Sequence, residues 1–396
     1  MKIALVSPYD FATYGGVNQH ILHLKREFQK HGHRVSIIAP VSDSGAELNI
    51  PDFYGFGGVV PISLNGSVAR LSFSLDLRWK IKLLMERERF DIVHLQEPLI
   101  PALPLMVLQY SRSINIGTFH AYAESSLGYF YARPVLQRFF NKLDGLIAVS
   151  EPAKEFASQY FDGEFHIIPN GVDVQAFSRH VAPVKELMDG RPNILFLGRF
   201  EEERKGFKYA LKSLRWVKHF FPDIRLVVAG KGDPDKFWSR IQKYHIEDNV
   251  RFVGVISDEE RPAYMRSCKL LIAPSTHGES QGIVLLEAMA AGLPVVAGNI
   301  PGYASVVTNG QEGFLVPPED EHTLALAIVR LLSDEALRNQ MGNAGRRKAN
   351  DYSWPKIANQ LLEFYSRVRR EKMEEEAKIS GRSKFVSMVL RKVKGA

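Results

Sequence analysis

The chain of 396 residues has one cysteine, Cys268, so neither an internal disulfide nor a multi-cysteine metal site is available to it. A reducing compartment, the cytoplasm, is the simpler expectation. The apolar context SCKLLIAP marks Cys268 as a packing residue. Long hydrophobic runs are also missing. The longest, LIPALPLMVL from Leu99, has ten residues and two prolines, against roughly 20 residues for a membrane-spanning helix. Any membrane contact is therefore expected to be peripheral. The start, MKIALVSPYD, passes straight into a strand-like run, so export through a signal peptide is not expected. GGVNQH follows that strand without completing a G-x-G-x-x-G fingerprint, which argues against a dinucleotide-dependent oxidoreductase. No internal repeat is evident, and no D-x-D metal-binding motif stands in a plausible context.

What the chain does contain is ordinary globular material, 45% hydrophobic, in a length that favours two domains. Lysine and arginine number 51 against 44 acidic residues, and the net charge of +7 suits an anionic partner: a nucleotide, a nucleic acid or a lipid headgroup. Short β-branched runs (KIALVSP, RVSIIAP, DIVHLQEP, INIGTFH, GLIAVS) alternate with amphipathic helical patterns. That rhythm reads as parallel strands with crossover helices. After Asn170-Gly171 and a polar stretch ending near Gly190 it begins again with NILFLGRF, IRLVVAGKGD, VRFVGVIS, LLIAPS and LPVVAGN. The expectation is an α/β chain with one Rossmann-like domain over 1–185 and a second over 190–354. A helix over 355–378 is expected to complete the first domain. Ligands of such sheets collect beyond the carboxyl ends of the strands, so the cleft between the domains is the expected site. The last stretch, 379–396, is basic without acidic residues, and as a helix it would set Phe385, Val389 and Val393 opposite Lys384, Arg391 and Lys394. A solvated tail fits the same residues.

Several residues carry chemistry in this frame. Gly282 precedes IVLLEAMAAG, a helix that Gly292 and Pro294 should stop. Its unpaired N–H groups offer a place for a diphosphate. Glu287, a turn inside, is costly to bury unless partnered, either by a ribose diol or by a lysine or arginine. Glu279 stands on the loop between Gly278 and Gly282, suited to a sugar or simply to the helix start. Arg199 ends the strand NILFLGRF and Lys205 follows, two cations fit for a leaving diphosphate. Local salt bridges to Glu201, Glu202 and Glu203 are the alternative. Gly15 and Gly16 permit close approach of a ligand, and His120 ends a strand at the cleft rim. His94 reads as a core histidine. In LRWKIKLLMERE, Leu77, Ile81, Leu84 and Met85 share a core face, while Trp79 with Arg78, Lys80 and Lys82 offers a membrane-facing aromatic ringed by cations, or an ordinary surface.

Taken together, Glu279 and Glu287 in E-x7-E spacing, Arg199 with Lys205, the Gly15-Gly16 loop and His120 resemble the retaining GT-B glycosyltransferases that use sugar nucleotides. SPYDF, GGV, NGSVARL, TFHA, IPNGVDV, FLGRF, RKG and GES-GIVL-EAMAAG look closest to the phosphatidylinositol mannosyltransferases of actinobacteria, over nearly the whole chain. The resemblance implies a GT-B fold, two Rossmann-like domains facing a central cleft. It also implies transfer of mannose from GDP-mannose to phosphatidylinositol with retained configuration, on the inner face of the plasma membrane. The leaving phosphate would accept the acceptor's proton. His120, Glu279, Arg199 and Lys205 would be catalytic. Donor contacts would come from Gly15, Gly16, Arg199, Lys205, Val255, Gly278, Glu279, Ser280, Gln281, Gly282, Ile283 and Glu287. The acceptor pocket would use Tyr9, Asn18, Asn65, Ser67, Arg70 and His120. No metal and no tightly bound cofactor is expected, the sugar nucleotide being a substrate. The implied partners are that nucleotide and an anionic lipid, not a nucleic acid, and the oligomeric state stays open. Three positions depart from the family pattern: Gln281 replaces an aromatic residue, Asn18 a glutamine and Ser125 a lysine. A UDP-hexose donor, with diacylglycerol or a soluble sugar as acceptor, and a nucleotide-dependent oxidoreductase are the alternatives.

Overall fold

The computed structural model describes residues 1–394 except 14, 43–49, 58, 65–66, 73–76, 124 and 179–180, with side chains left undescribed over 59–64, 67–72 and 379–394. In the first half the chain runs β1 (Lys2–Val6), α1 (Gly16–Lys30), β2 (Arg34–Pro40), β3 (Phe53–Phe56), β4 (Val59–Leu64), β5 (Ser67–Ser72) and α2 (Leu77–Glu88). It continues with β6 (Ile92–Gln96), α3 (Leu103–Tyr110), β7 (Ile114–Phe119), α4 (Leu127–Phe140), β8 (Gly145–Ala148), α5 (Glu151–Ser158), β9 (Phe165–Ile167) and α6 (Val174–Ser178). The second half holds β10 (Asn193–Leu197), α7 (Phe207–Phe220), β11 (Arg225–Ala229), α8 (Asp235–Lys243), β12 (Val250–Gly254), α9 (Arg261–Arg266), β13 (Leu270–Ala273) and α10 (Ile283–Ala291). It ends with β14 (Val295–Gly298), α11 (Pro301–Ala304), β15 (Gly313–Val316), α12 (Glu321–Ser333), α13 (Glu335–Ala349) and α14 (Trp354–Lys394).

These strands build two parallel sheets, ordered β3-β2-β1-β6-β7-β8-β9 and β12-β11-β10-β13-β14-β15, beside an antiparallel β4-β5 hairpin. Parallel strands covered on both faces need apolar residues on both, which is why KIALV and NILFL read as continuous hydrophobic runs. In β1, Ile3 and Leu5 enter the core under α1, while Ala4 and Val6 enter the core under α2 and α3. The two sheets, each flanked by helices, are the GT-B architecture of two Rossmann-like domains.

Two details differ from the sequence reading. Val172, Phe177 and Leu187 pack in the second half's core, so the chain changes halves near Asn170 instead of near 185. The closing helix does not stop at 378 but keeps helical backbone to Lys394. No proline follows Trp354-Pro355, and the single Gly381 costs only about 1 kcal/mol against alanine, too little to end a long helix. This helix returns to the first half, where Trp354, Ile357, Leu361, Phe364, Tyr365 and Val368 bury against α1 and the first sheet. The two crossings run side by side, joined by a bridge between Val172 and Ser353.

Candidate active site

The loop between β13 and α10 is fixed by close packing. Gly282 has φ 80°, and a Cβ there would lie 2.6 Å from the Tyr303 ring. A Cβ on Gly302 would fall 1.9 Å from the Glu279 carbonyl oxygen. Tyr303 in turn shares a 2.8 Å hydrogen bond with the Ser275 hydroxyl. On this held loop the Glu279 carboxylate meets Arg204 Nη1 at 2.5 Å and Lys205 Nζ at 2.6 Å. Arg204 Nη1 also donates to the Gly278 carbonyl at 3.1 Å. Its Nη2 pairs with Glu202 at 2.7 Å, and the other Glu202 oxygen takes Arg199 Nη1 at 2.7 Å. Glu201 turns instead to Lys236.

The sequence paired Arg199 with Lys205. The structure sets Arg204 beside Lys205 on one carboxylate, with side chains 17% and 18% exposed, and leaves Arg199 one step out at 50%. The signal for Arg204 was its place in RKG, two residues before the glycine (φ 68°) that caps α7.

Glu287 lies inside α10, 8% exposed. One oxygen pairs with Arg261 Nη1 at 2.6 Å, and the other is buried without a hydrogen-bond partner. Burial raises its pKa against the pull of Arg261. Both readings of this residue thus find an atom: the ion pair holds one oxygen, and the orphaned one is free to accept a donor such as a ribose hydroxyl. Val255, just past the end of β12, is 73% exposed.

Across the cleft, Gly15 caps α1 and Gly16 opens it; a Cβ on Gly16 would lie 3.7 Å from Ile283, the first residue of α10. Two helix N-termini, neither with an acid in its first turn, therefore meet at one point. Their orphan N–H groups and dipoles favour an anion there.

Two expected contact residues are buried and bonded within the protein. Asn18 is 4% exposed; its Oδ1 accepts from Ser7 Oγ at 2.8 Å, and its Nδ2 donates to the Asp10 and Thr13 carbonyls at 2.9 and 3.2 Å. It holds the SPYDF loop together and has no polar atom left for an acceptor. Gln281 is 2% exposed, and its Oε1 accepts both the backbone N–H and the Nδ2 of Asn170, at 2.8 and 2.7 Å. It fastens the loop of Glu279 to the crossing between the halves. Ser280 and Gly278 stay partly exposed on that loop. Asn65 lies outside the described residues, and Ser67 and Arg70 stand on β5 with their side chains outside them.

His120 is oriented from behind. Its Nε2 lies 2.6 Å from Gln96 Oε1, and its backbone N–H and that of Ala121 donate to Glu97 Oε1 at 2.6 Å each. Gln96 leads on to His94 at 3.2 Å, and His94 to Thr118 and to Tyr365 of α14, both at 2.6 Å. Burial lowers the pKa of His94 and of His120 to about 3, so both are neutral at ordinary pH. Burial likewise lifts Glu97 to about 7, against its two backbone donors. Tyr9 is raised by burial and by Glu97. His20, which the sequence reading passed over, stands edge-on 5.2 Å from the His120 ring, with both nitrogens buried and without hydrogen-bond partners.

On α2 the core face is Leu77, Ile81, Leu84 and Met85, as its pattern suggests. Trp79 is 61% exposed with Lys82 Nζ 5.6 Å from its ring; Arg78 and Lys80 are exposed, Arg78 bonding the Tyr110 hydroxyl. No helix among the described residues is long and apolar enough to cross a membrane. Among them, too, no group of three histidine, cysteine or acidic residues is arranged to hold a metal ion.

Residues 14–176 match the family described as Glycosyltransferase Family 4, and residues 178–348 that described as Glycosyl transferases group 1. The chain is 37% identical to the phosphatidyl-myo-inositol mannosyltransferase of Mycobacterium tuberculosis over 93% of its own length and 97% of that relative. It belongs to the phosphatidylinositol mannosyltransferase family of GT-B glycosyltransferases. The counterpart from Propionibacterium freudenreichii is 35% identical, over 92% of this chain and 95% of that one. Among solved structures, Anabaena HepE in complex with UDP superposes with a TM-score of 0.75 at 19% identity, covering 92% of this chain and 100% of that one. That likeness establishes the fold alone. Membership of the family makes this chain a glycosyltransferase.

Proposed function

We propose that the chain moves mannose from GDP-mannose to the inositol headgroup of phosphatidylinositol, with retention, while attached peripherally to the inner face of the plasma membrane. What carries this reading is the end-to-end likeness to relatives of that name, in a chain that sets the first residues of α1 and α10 side by side and holds Arg204 and Lys205 on the loop leading into α10.

In this reading the first half, with the returning part of α14, binds acceptor and membrane, and the second half binds the sugar nucleotide. Arg204, Lys205 and the N–H groups of α1 and α10 take the diphosphate, exchanging the Glu279 carboxylate for phosphate oxygens. Glu279 is then released toward the sugar. The unpaired oxygen of Glu287 accepts from the ribose. The bond from the anomeric carbon to the phosphate oxygen breaks while the acceptor hydroxyl bonds to that carbon on the same face, and its proton passes to the departing phosphate. The cations stabilise that charge most as it develops, which lowers the barrier more than it tightens binding. Neutral His120, held by Gln96 and Glu97, lines the reacting face.

The test is incubation of purified protein with radiolabelled GDP-mannose, UDP-glucose or UDP-galactose and vesicles containing phosphatidylinositol or diacylglycerol. A mannosylated phosphatidylinositol formed from GDP-mannose alone is the expected product. A labelled diacylglycerol, or product from a UDP donor only, replaces the substrate assignment; no glycolipid from any pairing overturns the lipid-acceptor reading.

A further inference from the structure

Helices α2, α3 and α4 lie side by side on one face of the first sheet, α2 against α3 and α3 against α4. Each feeds the next parallel strand, so all three run against the strands and begin at the carboxyl edge, beside the cleft. Of these, α4 is covered least. Leu136 and Phe140 are its buried residues, whereas Leu127, Phe130, Tyr131 and Val135 are 73%, 65%, 76% and 61% exposed. Their spacing, i, i+3, i+4 and i+8, places them in one stripe. The helix has no acidic residue, and its two arginines, Arg133 and Arg138, are exposed. On α2, Trp79 and Leu83, four residues apart on one side of the helix, are exposed as well.

We propose that the exposed face of α4 inserts into an anionic lipid surface, making with α2 a two-helix platform that holds the cleft mouth at headgroup level. Aromatic and aliphatic side chains rimmed by arginine, without a carboxylate, match an interface of acyl chains under phosphates. A second copy fits less well. A two-fold pairing of this face would bring Arg133 and Arg138 toward their own like charges. The inference deepens the lipid-acceptor reading and rests on it for the choice of lipid, but it is read out independently of transfer.

The test exploits the single native cysteine, Cys268, which is buried at 7% exposure. Phe130→Cys in the full-length chain is labelled with an environment-sensitive nitrobenzoxadiazole dye and mixed with vesicles of phosphatidylcholine, with or without phosphatidylinositol. The expected result is a blue-shifted, brighter emission with phosphatidylinositol vesicles, quenched by spin-labelled acyl chains. In a parallel sedimentation assay, Phe130→Ser combined with Tyr131→Ser should weaken vesicle binding about tenfold or more. A dye that stays silent while the protein sediments with vesicles overturns the α4 assignment and leaves the acceptor reading intact. Failure to sediment with either vesicle overturns it as well. A change that follows protein concentration without lipid overturns it in favour of a second copy. Insertion without any glycolipid product supports α4 and counts against the acceptor reading alone.

Discussion

Replacing Gln281 by leucine tests whether the donor loop is fastened to the crossing between the halves. The side chains are similar in volume, so the change removes hydrogen bonds without opening a large cavity. Two donors of Asn170, at 2.8 and 2.7 Å, lose their acceptor in a site where Gln281 and Asn170 are 2% and 5% exposed. Each buried group left unpaired costs about 1–3 kcal/mol. Two of them, less the gain from burying an apolar side chain, give a loss of about 2 kcal/mol. For a unit of this half's size, that lowers the melting temperature by about 4–8 °C. Because Glu279 is two residues away, the KM for the donor should rise as well. Asn170→Ala completes a double-mutant cycle, and a coupling of about 1 kcal/mol or more is expected between contacting partners. Calorimetry of the four proteins and initial rates against donor concentration supply the readouts. Additive losses, or a Gln281→Leu protein that melts with the parent and keeps its KM, would refute the fastening.

Other expectations follow from the same geometry. Arg204→Met and Lys205→Met should each lower kcat about a hundredfold, in the range of lost transition-state donors, and Arg199→Met much less; equal effects in initial-rate assays would restore Arg199 to the pair the sequence suggested. Arg261→Met strips the buried Glu287 of its cation and should cost about 3 kcal/mol, the lower end for one partner of a buried pair, measured by urea unfolding; an unchanged midpoint removes that ion pair from the account. Between about pH 4.5 and 6.5, His20, His94 and His120 take up three protons on unfolding, while Glu97 gives one up. The histidines, depressed in the fold, contribute stability above their usual pKa that is lost as pH falls. Glu97 and Glu287, both raised, work the other way, but His23 and His33 are depressed as well, so the histidines outnumber the carboxylates. Stability should therefore rise with pH across that window, each net proton contributing about 1.4 kcal/mol per unit; a flat profile in unfolding titrations would mean these histidines are charged in the fold.

The strands of both sheets were legible because burial on two faces leaves unbroken apolar runs, and α10 was legible because Gly292 stops it in the left-handed conformation, φ 75°. β3 and β9, four and three residues long, offered no period to read. At the site, Glu279 and Glu287 stood out by their glycine and apolar settings. Arg204 did not, since only the turn before α7 decides which of several neighbouring cations faces the loop. The inward turns of Asn18 and Gln281 were hidden for another reason. Gln281's partner lies 111 residues away, and Asn18 bonds to carbonyls whose direction a loop fixes only once folded. The open face of α4 escaped too, because a helix apolar on several sides does not say which side lacks a neighbour.

The return of α14 to the first half also orders events in time. Ile3, Leu5, Ile21 and Phe28 share their core with residues from Trp354 to Val368. While the ribosome is still making the second half, that surface has no lid. The first half is thus finished only after the second has been made, and a nascent chain must keep a sticky apolar patch harmless for the roughly 180 residues of synthesis between Asn170 and Trp354.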